Sequence, residues 1–308
     1  MIDALVLAGN SFVGQYLCDC LEDRNVSFVA TSRALLPNFV PCDLTDETSI
    51  RALLARYSPK WIFQCAGVSQ GDRSAMDRVH VQGAGNLLAA VNDITPETGI
   101  LFLGSAAEYG MVASENLPIR EECPEQPQSP YGQSKLAQTR LVRTYTVEHN
   151  LKTVVMRPFN LIGPGLPNRF LATALIQRLH AAIRGDGPQC LALLNGRATR
   201  DFVDVRDAVS AMVELTSASC VQKGTCALFN LASGVEISVL QVAKELAKLA
   251  GGIPIRDEGE QATPGHIWRS CGSPDRLISA IGRYLQTDWR HSLADMWQAK
   301  TTGWRRSA

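Results

Sequence analysis

The sequence predicts an α/β protein built on a doubly wound parallel sheet, with a smaller C-terminal lobe. Short segments that are apolar at every position recur through the first half of the chain, and stretches with helical spacing of apolar residues separate them. Strands of this kind are buried on both faces, as in parallel sheets covered by helices. Right-handed crossovers between such strands then wind the helices onto both faces of the sheet.

The predicted elements follow one another with short connections. The first half is expected to hold strands at 4–8, 26–31, 61–66, 100–104 and 153–157 and helices at 12–24, 48–57, 76–91 and 130–150. After Gly163-Pro164-Gly165 the alternation loosens, into helices at 170–184, 205–217 and 238–250 and strands at 190–194 and 228–232. We expect a dinucleotide-binding domain over 1–165, to which segments near 190–235 partly return, and a mainly substrate-binding lobe over 166–308.

Composition argues against several classes of partner. Lysine plus arginine equals aspartate plus glutamate, 30 of each, so no overall field attracts nucleic acid or acidic membranes. The nine cysteines are scattered without a C-x-x-C pair, as expected of reduced thiols, and the histidines share no ligand-like spacing, so we predict no metal. No apolar run approaches the ~18 residues of a membrane span, and residues 1–9 enter a strand directly. A cytoplasmic location is expected.

The turn between the first strand and the first helix contains Gly9 and Gly14. A dinucleotide needs such a turn because glycine lets the backbone approach the pyrophosphate, whose charge rests on free N–H groups of the helix. Ordinary loops also contain paired glycines, but a P-loop is excluded because Gln15-Tyr16 stands where Lys-Ser/Thr is required. We predict a Rossmann nucleotide site in which the pyrophosphate is held by Gly9, Asn10, Ser11, Phe12, Val13 and Gly14.

The end of the second strand bears on the choice of cofactor. An acidic residue there would bind the ribose hydroxyls of NAD, whereas a basic one suits the 2′-phosphate of NADP. Here the strand runs into Thr31-Ser32-Arg33 without an acid. Ser32 and Arg33 therefore favour NADP(H), with NAD(H) as the alternative if Arg33 is only a solvated turn residue. Asp43 is placed to meet the adenine edge.

The most specific feature is the segment SPYGQSK at 129–135. Pro130 suits the first turn of a helix, which puts Tyr131 and Lys135 on one face, four residues apart. An ammonium beside the phenol, together with an oxidised nicotinamide, is expected to lower the tyrosine pKa from its ordinary value near 10. Ser105 ends the apolar strand at 100–104, at the edge where ligands of such sheets bind.

These residues resemble the extended short-chain dehydrogenase/reductases, the sugar-nucleotide epimerases, dehydratases and reductases. The matching segments are FVG (12–14), CDLTD (42–46), SAAEYG (105–110), SPYGQSK (129–135), RPFNLIGPG (157–165), RDFVDVRDAV (200–209) and FNLASG (229–234). The resemblance implies a catalytic triad of Ser105, Tyr131 and Lys135. It implies further cofactor contacts from Leu44, Ala66, Gly67, Tyr131, Lys135 and Pro158, with Lys135 on the nicotinamide ribose. It implies substrate contacts from Ser105, Ala106, Asn160 and Arg200.

The chain departs from the family pattern in three places. Ala8 and Ser11 stand at the first two glycine positions of the family's G-x-x-G-x-x-G, and His80 stands where relatives usually have asparagine, with a helix-packing role as the alternative to a catalytic one. The segment 262–266 lacks the arginine that often precedes its proline, which suggests Arg269 as a substitute contact to the substrate nucleotide. A homodimer through the helices at 76–91 and 130–150 is implied by the same resemblance.

The residues after Ser105 bear on the reaction. The 4,6-dehydratases of the family have acids at the next two positions, whereas this chain has Ala106 and Ala107, so dehydration is not expected. Glu108 should point away from the site if this segment is extended. The acid-free end of the second strand and the step Gly272-Ser273, which resembles the reductase branch, favour NADPH-dependent reduction of a 4-keto-6-deoxy sugar nucleotide. A 4-epimerase and a non-catalytic dinucleotide sensor are the alternatives.

Overall fold

A computed structural model describes residues 1–261 and 267–303 of the chain. Its strands are β1 (Ala4–Leu7), β2 (Phe28–Ser32), β3 (Val40–Pro41), β4 (Trp61–Gln64), β5 (Gly99–Leu103), β6 (Lys152–Pro158), β7 (Asn160–Ile162), β8 (Leu191–Leu193), β9 (Thr199–Arg200), β10 (Phe202–Asp204), β11 (Thr225–Leu231), β12 (Ile237–Ser238) and β13 (Ile255–Asp257). Its helices are α1 (Phe12–Asp23), α2 (Glu47–Tyr57), α3 (Arg73–Asp77), α4 (Gly83–Ile94), α5 (Pro130–His149), α6 (Leu171–Arg184), α7 (Val205–Leu215), α8 (Val239–Leu249), α9 (Asp275–Ile281) and α10 (Trp289–Thr301).

A seven-stranded sheet forms the centre of the molecule. The strands lie in the order β11-β6-β5-β4-β1-β2-β3, and every neighbouring pair is parallel. The chain order reverses between β1 and β4, and such a switch point opens a crevice at the carboxyl edge of the sheet. The predicted doubly wound α/β fold is confirmed.

Helices cover the sheet on both faces. On one face Leu17 of α1 and Met212 of α7 pack against strand side chains such as Phe63, all of them fully or almost fully buried. On the other face Leu54 of α2 and Leu88 of α4 pack in the same way. Burying a side chain of this size contributes about 2 kcal/mol. These two cores fix the carboxyl edge of the sheet, on which the site is built.

A second lobe has its own core. Leu179 of α6, Leu246 of α8 and Leu293 of α10 are buried together, beside the short strand pairs β10–β7, β12–β9 and β13–β8. The chain returns from this lobe to the main sheet through α7, which packs on α1, and through the edge strand β11.

Most predicted elements occur within two residues of their expected limits. The short strands β3, β7, β9, β10 and β12 were not predicted, and there are two larger differences. The helix expected at 76–91 is three pieces, because a π-helical turn at Arg78–Gln82 separates α3 from α4. The polar stretch after residue 251, for which no element was predicted, contains β13, α9 and α10. Within the described ranges, no helix combines the length and apolar character needed to cross a membrane.

Candidate active site

A cavity of about 650 Å³ opens at the carboxyl edge of the sheet, and residues of both lobes line it. Ser11, Phe12 and Val13 lie at the N-terminus of α1, while Ser105, Tyr131 and Lys135 lie at the ends of β5 and in the first turns of α5. The remaining predicted residues on its wall are Ala66, Gly67, Ala106, Pro158, Asn160 and Arg200. The structure therefore brings together the three predicted catalytic residues and most of the predicted contacts.

The glycine turn leads the chain into α1 at one end of the cavity. A Cβ on Gly14 would collide with the carbonyl oxygen of Ala8, so only glycine allows this close approach of strand and helix. Ser11 is the N-cap of α1, and its side-chain oxygen accepts a hydrogen bond from the backbone N–H of Gly14 at 3.1 Å. Gly9 packs against Ala30 of β2, and Asn10 is exposed; neither they nor Gly14 reach the cavity wall.

The residues predicted to bind the adenosine lie beyond the cavity wall, at the ends of β2 and β3. Ser32 is buried, and its side-chain oxygen accepts a hydrogen bond from the N–H of Ala34, whereas Arg33 is exposed. Hydrogen bonds from Thr45, with a smaller contribution from the charge of Arg33, lower the pKa of Asp43. Leu44 is buried nearby. The exposed guanidinium of Arg33 is available here for a 2′-phosphate, whereas the hydroxyl of Ser32 is buried.

Helix α5 presents the phenol and the ammonium. Its N-cap, Ser129, accepts a hydrogen bond from the N–H of Gly132 at 3.0 Å, and Pro130 occupies the first turn, as predicted. Lys135 is 3% exposed, and its Nζ donates to the carbonyl oxygen of Leu103 at 2.8 Å and to Oε1 of Gln138 at 3.3 Å. Burial lowers the pKa of Lys135 to about 8.

The pKa of Tyr131 differs from the expectation. Burial raises it above its ordinary value, and a hydrogen bond with Ser105 opposes the rise only in part. The predicted lowering by Lys135 is absent because the ammonium is directed at the carbonyl oxygen of Leu103 and not at the phenol. Without a bound cofactor, Tyr131 therefore keeps its proton at neutral pH.

Ser105 is held by a turn that follows β5. Residues Ala106–Glu108 form a 3-10 turn and are not extended. Ser105 and Glu108 make a capping box in which Oε1 of Glu108 accepts from the Ser105 N–H at 2.8 Å and Oγ of Ser105 accepts from the Ala107 N–H at 3.1 Å. Glu108 points away from the cavity, as expected. The reason is the 3-10 turn, in which the Glu108 carboxylate accepts from the backbone of Ser105. The spacing Ser-x-x-Glu was the signal in the sequence.

Glu108 is buried beside a positive charge. Its Oε2 is 2.8 Å from Nε of Arg157, both side chains are fully buried, and Arg157 also pairs with Glu125. The Arg157 guanidinium lies over the ring of Tyr109, 4.6 Å from its centroid. A buried pair of this kind is strongly destabilised when one partner is lost, so it fixes Glu108 and, through it, the backbone of Ser105. Arg157 is a residue of this site that was not predicted from the sequence.

The opposite end of the cavity is lined by the second lobe. Arg200 is largely buried, its Nη1 donates to the carbonyl oxygen of Thr199 at 2.7 Å, and no carboxylate of the described residues lies within ion-pair distance of it. Burial lowers its pKa. Asn160 donates through Nδ2 to the carbonyl oxygen of Asp201 at 3.1 Å. A desolvated guanidinium without an acid suits an anionic ligand.

Two other features of this end were not foreseen. Arg169 is on the cavity wall, over the ring of Phe170 at 4.7 Å, and its charge acts to lower the pKa of Tyr131. Arg269, by contrast, does not reach the wall, because its guanidinium makes a two-pronged pair with Glu236 at 2.5 and 3.0 Å. The segment 262–266, whose altered pattern suggested Arg269, lies outside the described residues.

The step Gly272-Ser273 has a structural explanation. A Cβ on Gly272 would collide with the ring of Phe159 and with Ala232, and the Gly272 N–H donates to Oδ2 of buried Asp201 at 3.1 Å. Asp201 also accepts from the N–H and the hydroxyl of Ser233. Gly272 and Ser273 therefore lie behind the part of the wall formed by Phe159 and Asn160 and do not line the cavity themselves.

Comparison with known proteins places this geometry in a family. The family model described as "NAD dependent epimerase/dehydratase family" matches residues 4–226. The GDP-6-deoxy-D-mannose reductase of Pseudomonas aeruginosa is 30% identical over 256 residues, which cover 81% of this chain and 81% of the relative. The UDP-glucose 4-epimerase of Azospirillum brasilense is 30% identical over 223 residues, covering 68% of this chain and 61% of the relative.

A solved structure agrees in fold over nearly the whole length. The structure of RMD from Pseudomonas aeruginosa complexed with NADPH matches with a TM-score of 0.84 at 27% identity, covering 97% of this chain and 99% of that chain. The extent of the family match, the parallel sheet and the predicted residues assembled at its carboxyl edge lead to one conclusion. The chain belongs to the NAD dependent epimerase/dehydratase family, whose members are NAD(P)-dependent enzymes that act on sugar nucleotides.

Proposed function

We propose that the protein reduces the 4-keto group of a GDP-linked 4-keto-6-deoxy sugar with NADPH. The observation that carries the proposal is the pairing of Ser105 with a protonated Tyr131 in one cavity where Ala106 and Ala107 replace acids. Such a site can deliver a proton to a carbonyl oxygen but offers no carboxylate for eliminating water. The likeness to a GDP-6-deoxy-D-mannose reductase supports the choice of GDP and of the deoxy sugar.

The cavity suits a dinucleotide. The N-terminus of α1 faces it through Ser11–Val13, Lys135 lies beside Gly67 on its wall, and no acidic side chain of the described residues lines it. Backbone N–H groups and an ammonium without opposing carboxylates favour a pyrophosphate and a ribose. When bound, the nicotinamide of the cofactor supplies the hydride for the substrate carbonyl. Arg33, exposed at the end of β2, supports NADPH over NADH.

The residues of the chain then have separate tasks. Ser105, fixed by its capping box, holds the carbonyl oxygen by a hydrogen bond. Tyr131 donates its phenolic proton to the same oxygen as negative charge develops there. Because burial raises the pKa of Tyr131, the proton is present at neutral pH, which suits the reductive direction. Lys135, whose ammonium lies beside Gly67 on the cavity wall, holds the ribose of the bound cofactor.

The 4-epimerase is the second candidate, because a UDP-glucose 4-epimerase shares 30% identity over 223 residues with this chain. An epimerase returns the hydride to the same sugar and consumes no cofactor, whereas a reductase consumes one NADPH per product. The two reactions therefore differ in the net consumption of the nicotinamide cofactor. Assembly as a homodimer and a cytoplasmic location stay predictions.

The decisive experiment supplies NADPH and a GDP-4-keto-6-deoxy sugar and follows NADPH absorbance and the sugar nucleotides together. We expect stoichiometric oxidation of NADPH, with Tyr131→Phe lowering kcat by about 10² to 10⁴ because the proton donor is lost. Tyr145→Phe, on the same helix but stacked on His149 away from the cavity, is the matched control and should retain kcat. Interconversion of two sugar nucleotides without net oxidation of NADPH would favour the epimerase. If neither oxidation nor interconversion occurs, the non-catalytic dinucleotide sensor is favoured.

A further inference from the structure

His80 links the cavity wall to the helix that carries Tyr131. It is fully buried in the π-helical turn between α3 and α4. Its Nε2 accepts a hydrogen bond from the backbone N–H of Val68 at 3.1 Å, and its Nδ1 lies 2.9 Å from Oγ of Ser134. Oγ of Ser134 in turn donates to the carbonyl oxygen of Tyr131 at 2.8 Å.

The directions of these bonds fix the state of the ring. A backbone N–H can only donate, so Nε2 carries no proton, and Oγ of Ser134 uses its hydrogen on Tyr131, so Nδ1–H is the donor to Ser134. Burial, with a further contribution from the charge of Lys135, lowers the pKa of His80 to about 3. His80 is therefore a neutral imidazole in one tautomer. Lys135 and Tyr131 are the titratable groups beside it.

The two ends of this hydrogen-bonded chain have different neighbours. Val68 belongs to the cavity loop, residues 66–69, all four of which line the cavity. A Cβ on Gly67 would lie 3.5 Å from Nε2 of His80 and 3.7 Å from Nζ of Lys135, so the loop lies between His80 and the cavity space and also contacts Lys135, which lines the cavity itself. At the other end the His80 ring meets the Tyr131 ring edge-on, with centroids 5.9 Å apart.

We infer that His80 is a positioning residue that couples the cavity loop to the first turn of α5, so that the loop sets the orientation of Tyr131. This inference rests on the proposed function only for the identity of the proton donor. A ligand that contacts residues 66–69 acts through Val68, His80 and Ser134 on the backbone of Tyr131. Coupling of this kind is reciprocal, so a change at Ser134 alters binding at the loop.

The test is a double-mutant cycle on His80→Phe and Ser134→Ala. His80→Phe keeps a ring beside Tyr131 but removes both nitrogens, and Ser134→Ala removes the hydroxyl without touching the loop. His180→Phe is the matched control, because His180 also contacts an aromatic ring, Trp297, but in the second lobe away from the cavity. If His80→Phe fails to fold, His80→Leu takes its place, because leucine also removes both nitrogens and is apolar enough for this buried position.

Two quantities are measured. The first is the dissociation constant of NADPH without any sugar nucleotide, followed by its fluorescence. We expect Ser134→Ala to weaken binding several-fold in the wild-type background and to have no effect in the His80→Phe background. The second is turnover of the GDP-4-keto-6-deoxy sugar, for which His80→Phe lowers kcat by about 10 to 10² and leaves KM nearly unchanged, since misplacement affects the reacting groups.

The outcomes are separable. Independent, additive effects of the two substitutions on NADPH binding, or effects no larger than those of His180→Phe, would overturn the role of His80. Loss of a limb of the kcat–pH profile in His80→Phe would also overturn it, because the residue would then be a titrating acid or base. If the wild-type protein oxidises no NADPH with the sugar nucleotide, the proposed function fails, while non-additive NADPH binding still supports the coupling.

Discussion

Ala8 ends the first strand in a conformation that suits glycine better. Its φ is 56°, in the left-handed region, where the Cβ of an ordinary residue crowds the following carbonyl group. The family pattern has glycine at this position, so the chain retains the turn at the expense of local strain. The cost is about 1 kcal/mol.

Ala8→Gly should therefore stabilise the protein. We expect the free energy of unfolding to rise by about 0.5 to 1 kcal/mol, because relief of the left-handed strain outweighs the extra freedom of glycine in the unfolded chain. Urea denaturation measures the change. Ala4→Gly, in the extended part of the same strand, is the control and should destabilise. A loss of stability in both variants would show that the turn is not strained.

Lys135 gives the site a pH dependence. The fold lowers its pKa from 10.5 to about 8, so the ammonium loses its proton as the pH rises through about 8. The ionisation of Tyr131 lies above its ordinary value and cannot produce a limb in this range. We expect kcat/KM, which reports the free enzyme, to fall as the pH rises above about 8.

Lys135→Arg tests the assignment of this limb, because a guanidinium stays protonated throughout the range. The variant should show a lower kcat/KM that no longer falls above pH 8. A limb that persists unchanged would assign the ionisation to another group.

The lowered pKa of Lys135 also affects stability. Folding disfavours the charged ammonium, so the free energy of unfolding rises as the pH passes from about 8 towards 10.5. A Lys135→Met variant should lose that rise.

At the scale of elements, the sequence was informative where an element begins with its own signal. Helix α5 was predicted within one residue because Ser129 and Pro130 mark its start. Helix α1 was predicted in the same way, through the glycine turn that ends at Ser11. In both cases the groups that face the cavity lie in the first two turns, so a correct start also placed the predicted site residues.

Other elements could not be predicted because distant contacts decide them. The π-helical turn at Arg78–Gln82 places His80 between Val68 and Ser134, and neither contact is visible in the periodicity of the segment. Arg157 interrupts an apolar strand and is stable there only because Glu108 and Glu125, 49 and 32 residues away, surround it. Helix α10 buries few side chains, so its apolar face is too narrow to recognise.

At the scale of the whole molecule, the two lobes hold opposite ends of the site. The main sheet places Arg33 at the end of β2 and the predicted triad after β5 and at the start of α5, while the second lobe adds Arg200 through β9. Arg200 lies on β9, which pairs with β12, and the neighbouring Asp201 accepts hydrogen bonds from Ser233 and Gly272. These elements are separate from the glycine turn before α1. The dinucleotide and the sugar nucleotide should then be affected by different substitutions.

Arg200→Gln and Arg33→Ala form a matched pair for this division. Loss of a charge-assisted contact costs about 1.5 to 3 kcal/mol, so Arg200→Gln should raise the KM of the sugar nucleotide by about 10 to 10² without changing the dissociation constant of NADPH. Arg33→Ala should weaken NADPH by a similar factor, leave NADH unchanged and leave the KM of the sugar nucleotide unchanged. Calorimetry with each ligand alone measures both effects. If Arg200→Gln weakened the binding of both ligands equally, the Arg200 guanidinium would support the cavity wall and would not contact the substrate diphosphate. If Arg33→Ala left NADPH binding intact, the preference for NADPH would lose its structural basis.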